Sequence, residues 1–184
     1  TVMVSTDDDS IREIAEKYGA SVPFMRSEKN SSDTATTLEV INEVLGLYRD
    51  MGRHYDEVCC IYATAPLIQE KDLETGLEML KGNVASVFPV TAFSFPILRS
   101  LKVDDDNNVS MNWPEFAQSR SQDLPAAYHD AGQWYWIRPE LIKDSLYTNT
   151  SKAVILSEME VQDLDNEVDW QMAELKYTLL REDN

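Results

Sequence analysis

Residues 56–67, Asp-Glu-Val-Cys-Cys-Ile-Tyr-Ala-Thr-Ala-Pro-Leu, decide which fold the chain is expected to take. From Val58 to Tyr62 the apolar and bulky residues do not alternate with polar ones. A strand with no alternation is covered on both faces, as strands of a buried parallel sheet are. Ala63 to Leu67 then reads as a turn stiffened by Pro66. Leu73, Leu77 and Leu80 follow at helical spacing, and Gly82 stops that helix. The unit is therefore strand, turn, helix.

Working outward from it, the same alternation continues in both directions. Upstream, Leu38, Ile41, Val44, Leu45 and Tyr48 form the apolar face of a helix that Ser32 or Asp33 can cap. Before that, Thr1–Thr6 reads as a buried strand, and Asp7–Asp9 as acids at the positive end of a helix. That helix carries Ile11, Ile14, Ala15 and Tyr18 and stops at Gly19, with a short parallel strand at 20–22. Downstream, strands are expected at 85–90, 134–137 and 153–156, and a closing helix at 167–180. Trp170, Ala173, Leu175 and Leu179 are its expected apolar positions. Arg99–Val103 and Val109–Met111 flank the turn residues 104–108 and read as a hairpin outside the main sheet. The pattern predicts one α/β domain over residues 1–184: a mostly parallel sheet with helices on both faces.

Composition narrows the function. Net charge is -17, which excludes nucleic acid as a natural partner, since phosphate backbones are bound by Lys and Arg. A small anionic substrate remains compatible, because a local cation or a metal ion can offset the field. No apolar run approaches the ~20 residues that span a bilayer. Cys59 and Cys60 are adjacent on a strand and point to opposite faces, so they suit a reducing cytoplasm better than a structural disulfide.

Two stretches carry chemistry. Residues 120–136, Arg-Ser-Gln-Asp-Leu-Pro-Ala-Ala-Tyr-His-Asp-Ala-Gly-Gln-Trp-Tyr-Trp, crowd polar groups just ahead of an aromatic strand. That is where a scaffold holds a binding loop, and equally what a charged surface loop before a core strand looks like. Residues 161–170, Val-Gln-Asp-Leu-Asp-Asn-Glu-Val-Asp-Trp, place Asp163 and Asp165 one residue apart. In extended chain both carboxylates face one side and Leu164 the other. They can hold one divalent ion, or one of them can cap the following helix.

The Arg120-Ser-Gln-Asp-Leu124 and Ala127-to-Trp136 runs, Thr64-Ala-Pro-Leu67, and Gln162-Asp-Leu-Asp165 followed by Glu167-Val-Asp-Trp170 resemble the acylneuraminate cytidylyltransferases over nearly the whole chain. Within them, His129-Asp-Ala-Gly132 is most similar to the pseudaminic acid branch; the sialic acid branch more often has an Asn-Gly-Ala-like segment.

The resemblance implies a Rossmann-like three-layer sandwich of the nucleotide-diphospho-sugar transferase type. It implies transfer of CMP from CTP to a nine-carbon 2-keto acid sugar with release of pyrophosphate. By the same resemblance Asp163 and Asp165 hold Mg²⁺, and Arg26, Thr64 and Ala65 lie near the nucleotide. Arg120, Gln122, Tyr128, His129 and Gln133 are then candidates for the sugar. Arg26 reads equally as a loop arginine, and His129 equally as a structural residue.

Residues 99–124 become a dimerisation excursion making a homodimer, with Trp113 and Phe116 as interface aromatics and Arg120 reaching toward the partner's site. Members of the family begin earlier, with a strand and a glycine-rich nucleotide loop, so the resemblance implies that this sequence starts after that loop. Two other classes stay open: another sugar nucleotidyltransferase on the same fold, and a non-catalytic dimerising domain.

Overall fold

A computed structural model describes residues 1–182. Its main sheet contains β1 (Val58–Ile61), β2 (Ser86–Ala92), β5 (Tyr128–Asp130), β6 (Trp134–Ile137) and β7 (Lys152–Leu156). A separate two-stranded sheet pairs β3 (Leu101–Val103) with β4 (Val109–Met111). The α-helices are α1 (Asp9–Lys17), α2 (Thr37–Asp50), α3 (Glu70–Met79) and α4 (Glu167–Glu182).

The fold class is α/β, but the expectation of a mostly parallel sheet is corrected. β6 lies antiparallel between β1 and β2, and β5 is also antiparallel to β2. Among the named strands of the described residues, only β7 pairs in parallel, with β2. The strands β1, β2 and β7 do point the same way. The opposing direction belongs to β5 and β6, which follow an excursion with a hairpin. Parallel neighbours need a crossover of a dozen or more residues, usually helical. Among the described residues no α-helix lies between β2 and the aromatic strand at 134–137, and that connection sets its direction.

The doubly covered strand is β2, where Ser86 and Val87 have no exposed surface, Thr91 has 4 % and Val90 9 %. β1 forms an edge, and its Ile61 is 51 % exposed. Each face of the sheet carries its own core. Trp134 packs with Leu80, Val84, Val87 and Leu156 on the α3 face. Tyr135 and Ile137 pack with Ile41, Phe88 and Leu146 on the α2 face. The contact with α3 is close: a Cβ on Gly76 would lie 2.5 Å from the Trp134 ring. The indole N–H of Trp136 donates to Leu73 O on the same helix, 2.9 Å away.

β5 and β6 run along one edge of β2, with an irregular step between them. From the pair Val90–Asp130 to the pair Val87–Trp136, β2 advances three residues and its partner six. The inserted three are Ala131, Gly132 and Gln133, and Gly132 has φ of 63°. Side chains alternate along a strand, so an odd insertion exchanges the faces. Asp130 and Tyr135, five apart, consequently share the α2 face.

Several local expectations change. Thr1–Thr6 is not a buried strand; it makes a single parallel bridge, Met3 with Ser21. Asp8 caps α1, accepting from Ser10 N at 2.7 Å and Ile11 N at 3.0 Å. α2 is capped by Thr36 rather than Ser32 or Asp33, with Glu39 closing a reciprocal capping box. On α4, Ala173 is buried, while Trp170, Leu175 and Leu179 are 55 %, 54 % and 42 % exposed. In the excursion, Leu101, Val103 and Val109 face solvent, whereas Trp113 and Phe116 are half-buried.

Candidate active site

Because β1, β2 and β7 share a direction, the segments leaving their C-terminal ends gather at one edge of the sheet, where open α/β sheets bind ligands. Ala63–Leu67 follows β1, Phe93 onward follows β2, and 157–166 follows β7. The step at 131–133 sits at the same edge. Tyr62 N donates to Gln133 O at 2.8 Å, tying the segment after β1 to that step.

A cleft of about 440 Å³ opens there. Its walls include Thr91, His129, Asp130, Gly132, Asp163 and Lys176. The carboxylate of Asp130 is fully engaged. Oδ1 accepts from Gly132 N at 2.7 Å, and Oδ2 accepts the hydroxyls of Tyr135 at 2.7 Å and Tyr147 at 2.5 Å. Burial, then the bond to Asp130, pushes the Tyr147 phenol up to about 12. The same causes raise Tyr135 further. Both hydroxyls are therefore protonated donors at neutral pH. They pull the loop carrying Tyr147 onto the cleft floor, where Phe88 meets the Tyr147 ring edge-on at 5.1 Å.

Gly132 needs its left-handed φ, and it also gives room. A Cβ there would lie 3.9 Å from Asp163 Oδ2, so the glycine backbone and the Asp163 carboxylate face each other across the cleft. Asp163 and Asp165 are both exposed, with Leu164 half-buried between them, as the extended spacing predicts. Neither acid caps α4. Asn166 Oδ1 accepts from Val168 N at 2.9 Å and Asp169 N at 3.2 Å, and Asp169 Oδ2 accepts from Asp165 N and Asn166 N, each at 3.0 Å. With the helix start served by Asn166 and Asp169, the two acids are free for another partner. The Asp165 carboxylate has no hydrogen bond among the described residues, and Asp163 Oδ1 accepts only from Leu164 N at 3.0 Å.

The other sequence candidates are spread out. His129 lines the cleft, with Nδ1 2.9 Å from Asp130 O and its ring 4.9 Å from Phe93. Tyr128 is 45 % exposed on β5. Gln133 is 2 % exposed, and its amide donates to Glu160 O at 2.6 Å, which joins the step to the segment after β7. Arg26 bonds Ser5 through Nε at 3.1 Å and also through its terminal nitrogen. Its charge helps hold the nearby Glu43 carboxyl below the usual range, behind the Ser27 hydrogen bond that dominates. Thr64 is exposed and Ala65 buried in the turn after β1. Arg120 pairs with Asp123 at 2.7 Å on the exposed excursion, beside Gln122, away from the cleft. Residue-type reasoning passed over Asp130, Tyr147 and Lys176. The first lies within the quoted motif, but no local pattern marks the other two.

The chain matches the cytidylyltransferase family over residues 1–178. It is 35 % identical to the pseudaminic acid cytidylyltransferase of Campylobacter jejuni over 98 % of its own length and 79 % of that protein's.

The chain belongs to the cytidylyltransferase family.

It is also 30 % identical to N-acylneuraminate cytidylyltransferase A of Danio rerio, over 95 % of this chain and 40 % of that protein. With the CMP-N,N'-diacetyllegionaminic acid synthase of Legionella pneumophila it shares 26 % identity over 94 % of this chain and 76 % of that protein. As a cytidylyltransferase it uses CTP. No group of three or more His, Cys, Asp or Glu side chains converges among the described residues. Mg²⁺ needs no such cage, since one or two carboxylates with substrate phosphates and waters complete its shell. Asp163 and Asp165, exposed and unclaimed, fit that donor set.

Proposed function

We propose that this cytidylyltransferase joins CTP to pseudaminic acid, a nine-carbon 2-keto acid sugar, giving the CMP-sugar and pyrophosphate. The observation that carries the reading is the cleft itself. It gathers His129, Asp130 and Gly132, part of the segment by which this sequence resembles the pseudaminic acid branch, opposite Asp163. The identity to pseudaminic acid cytidylyltransferases supports it. On this reading the sheet belongs to the nucleotide-diphospho-sugar transferase type of Rossmann-like sandwich.

The anomeric hydroxyl of the sugar attacks the α-phosphorus, the bond to the bridging oxygen breaks, and pyrophosphate leaves. Such a reaction depends on alignment and on neutralising charge. Mg²⁺, when bound, would supply that neutralisation by polarising the phosphoryl oxygens. Asp163 and Asp165 would hold it. Asp130, saturated by three donors, fixes the floor on which the sugar sits, His129 offers a polar contact from the cleft wall, and Tyr128 offers one from the exposed start of β5. Gln133 keeps the step aligned from inside. Arg26, Thr64 and Ala65 meet the nucleotide at the β1 end. Arg120 and Gln122 stand on the excursion and are not among the described residues that line this cleft. We therefore place them in the site of a second copy, in a two-fold homodimer formed through residues 99–124. The free cysteines suit a reducing compartment, and we place the activity in the cytoplasm.

Pyrophosphate release from CTP tests the reading, with pseudaminic acid and N-acetylneuraminic acid supplied in parallel. Clear preference for pseudaminic acid is expected, because a site built for one pattern of hydroxyl and amide groups leaves buried partners unpaired with another. Equal turnover of the two sugars would overturn the sugar assignment. Turnover that survives chelation of Mg²⁺ would overturn the metal role.

A further inference from the structure

α4 touches the segment that carries the acid pair on both sides of it. After the acids, Asp169 receives the N–H groups of Asp165 and Asn166, both at 3.0 Å. Before them, Lys176 reaches back from two helical turns further along α4. Its ammonium donates to Val161 O at 2.6 Å and Glu158 O at 3.0 Å. Asp163 lies between the two attachments.

Lys176 is half-buried and forms no ion pair among the described residues. A lysine with no carboxylate partner, donating to two main-chain carbonyls of one turn, holds that turn in place. It is also the sole Lys or Arg among the described residues that line the cleft.

We infer that Lys176 is a positioning residue for the metal-binding acids: by tying the 158–161 turn to α4, it fixes how far into the cleft Asp163 stands opposite Gly132. The inference rests on the Mg²⁺ reading above and extends it to a residue outside the acid motif. Mg²⁺ demands near-ideal octahedral geometry, so a carboxylate that drifts loses it. Groups that orient metal ligands from behind typically change metal affinity or activity about 10–100-fold when removed. Gln162 reaches Asp169 Oδ1 at 3.5 Å and Gln133 holds Glu160 O at 2.6 Å, and Lys176 adds the direct tie of the 158–161 turn to α4 on the upstream side of Asp163.

The test compares Lys176→Met, Lys176→Arg and Asp163→Asn. Mn²⁺ binding in the presence of CTP is followed by electron paramagnetic resonance, and amide hydrogen exchange over residues 158–166 by mass spectrometry. Lys176→Met should weaken Mn²⁺ binding roughly tenfold and speed exchange in that segment, with melting temperature little changed. Lys176→Arg should keep most of the affinity, since a guanidinium also donates to carbonyls. Asp163→Asn should weaken the metal whatever stands at 176. Lys176→Gln replaces the Met variant if that one does not fold. If Asp163→Asn binds Mn²⁺ normally, the metal reading fails and this inference with it. If Asp163→Asn weakens the metal while Lys176→Met does not, the inference alone is overturned. Equal loss in the Arg and Met variants also overturns it, by showing that the lysine acts through something other than the turn.

Discussion

The contact of α3 with β6 and the excursion at 99–124 are opposite kinds of structure in one chain. In the first, a glycine lets a helix lie directly on two tryptophans, and Trp134 has no exposed surface. In the second, three β-residues pair with three others in a sheet of their own, and Leu101, Val103 and Val109 are 58 %, 61 % and 60 % exposed. The cleft is built on the first kind, beside β2, the strand whose side chains are covered on both faces. Arg120 and Gln122 stand on the second kind. Substrate residues on a rigid frame can act within one chain; those on the arm need something to be held against. The difference teaches that the two ends of the stretch 120–136 have different supports, the excursion for Arg120 and the main sheet for His129 to Trp136.

Substitutions that break this contrast should show their largest effect at the helix–strand contact. Gly76→Ala puts a methyl within 2.5 Å of Trp134 and 2.9 Å of Trp136. Overpacking this severe should destabilise by about 3 kcal/mol net, after the ~1 kcal/mol gain in helix propensity is subtracted. For a chain of this size that lowers the melting temperature by roughly 6–12 °C. A melting temperature within a degree of the parent would mean that α3 can lift off the sheet, and that the frame is not rigid.

Next come Asp163→Asn and Asp165→Asn. Each should lower turnover about 100-fold or more, equivalent to ~2.7 kcal/mol, and leave the melting curve nearly in place. Raised Mg²⁺ should restore part of the loss. Near-normal turnover and metal dependence in both variants would show that the acids are structural.

Gly132→Ala is smaller. Space is adequate, but φ of 63° strains any side chain, so about 1 kcal/mol of stability should go, with a loss of sugar affinity. Wild-type melting temperature and KM together would mean that the step can relax.

Smaller still is an alkaline effect. The Tyr147 phenol is raised to about 12 from the ordinary 10. A raised folded-state value means stability fully present below about pH 10 and lost as pH climbs toward 12, because the unfolded chain releases the proton first. Tyr147→Phe should flatten the stability profile across that window, and unchanged alkaline steepness would contradict the Asp130 bond.

The arm should respond least. Leu101→Ser with Val109→Ser should change chain stability by less than about 0.5 kcal/mol, as exposed positions do. In light scattering the same pair should reduce the proposed homodimer to half its mass. A large fall in stability would show that the hairpin belongs to the core of one chain.

Strand positions were legible because composition marks them: the aromatics at 134–137 and the small-residue turn at 63–67 stand where expected. Strand direction was not, because it depends on what connects β5 and β6 to β2 rather than on their residues. α4 misled for a different reason. Apolar residues at 168, 170, 172, 175, 177 and 179 point around most of the helix, so periodicity cannot choose a face, and the packed face is the one with Ala173. Asp163 and Asp165 were legible as a pair from spacing, and the role proposed for them came from the resemblance. Asp130 was hidden because a regular strand would have aimed it away from Tyr135. Tyr147 and Lys176 were hidden because their partners lie 17 and at least 15 residues away.

The three residues between β5 and β6 act as a phase change in the chain. Upstream of them, residue identity can drift to suit a different sugar while the tryptophans downstream keep their places. Their number cannot drift so freely. Deleting one would turn every side chain of one strand inside out, sending Trp134 to the α2 side and parting Asp130 from Tyr135. Among relatives with different sugars, then, this stretch should tolerate changed letters and conserve its count, or change its count by two.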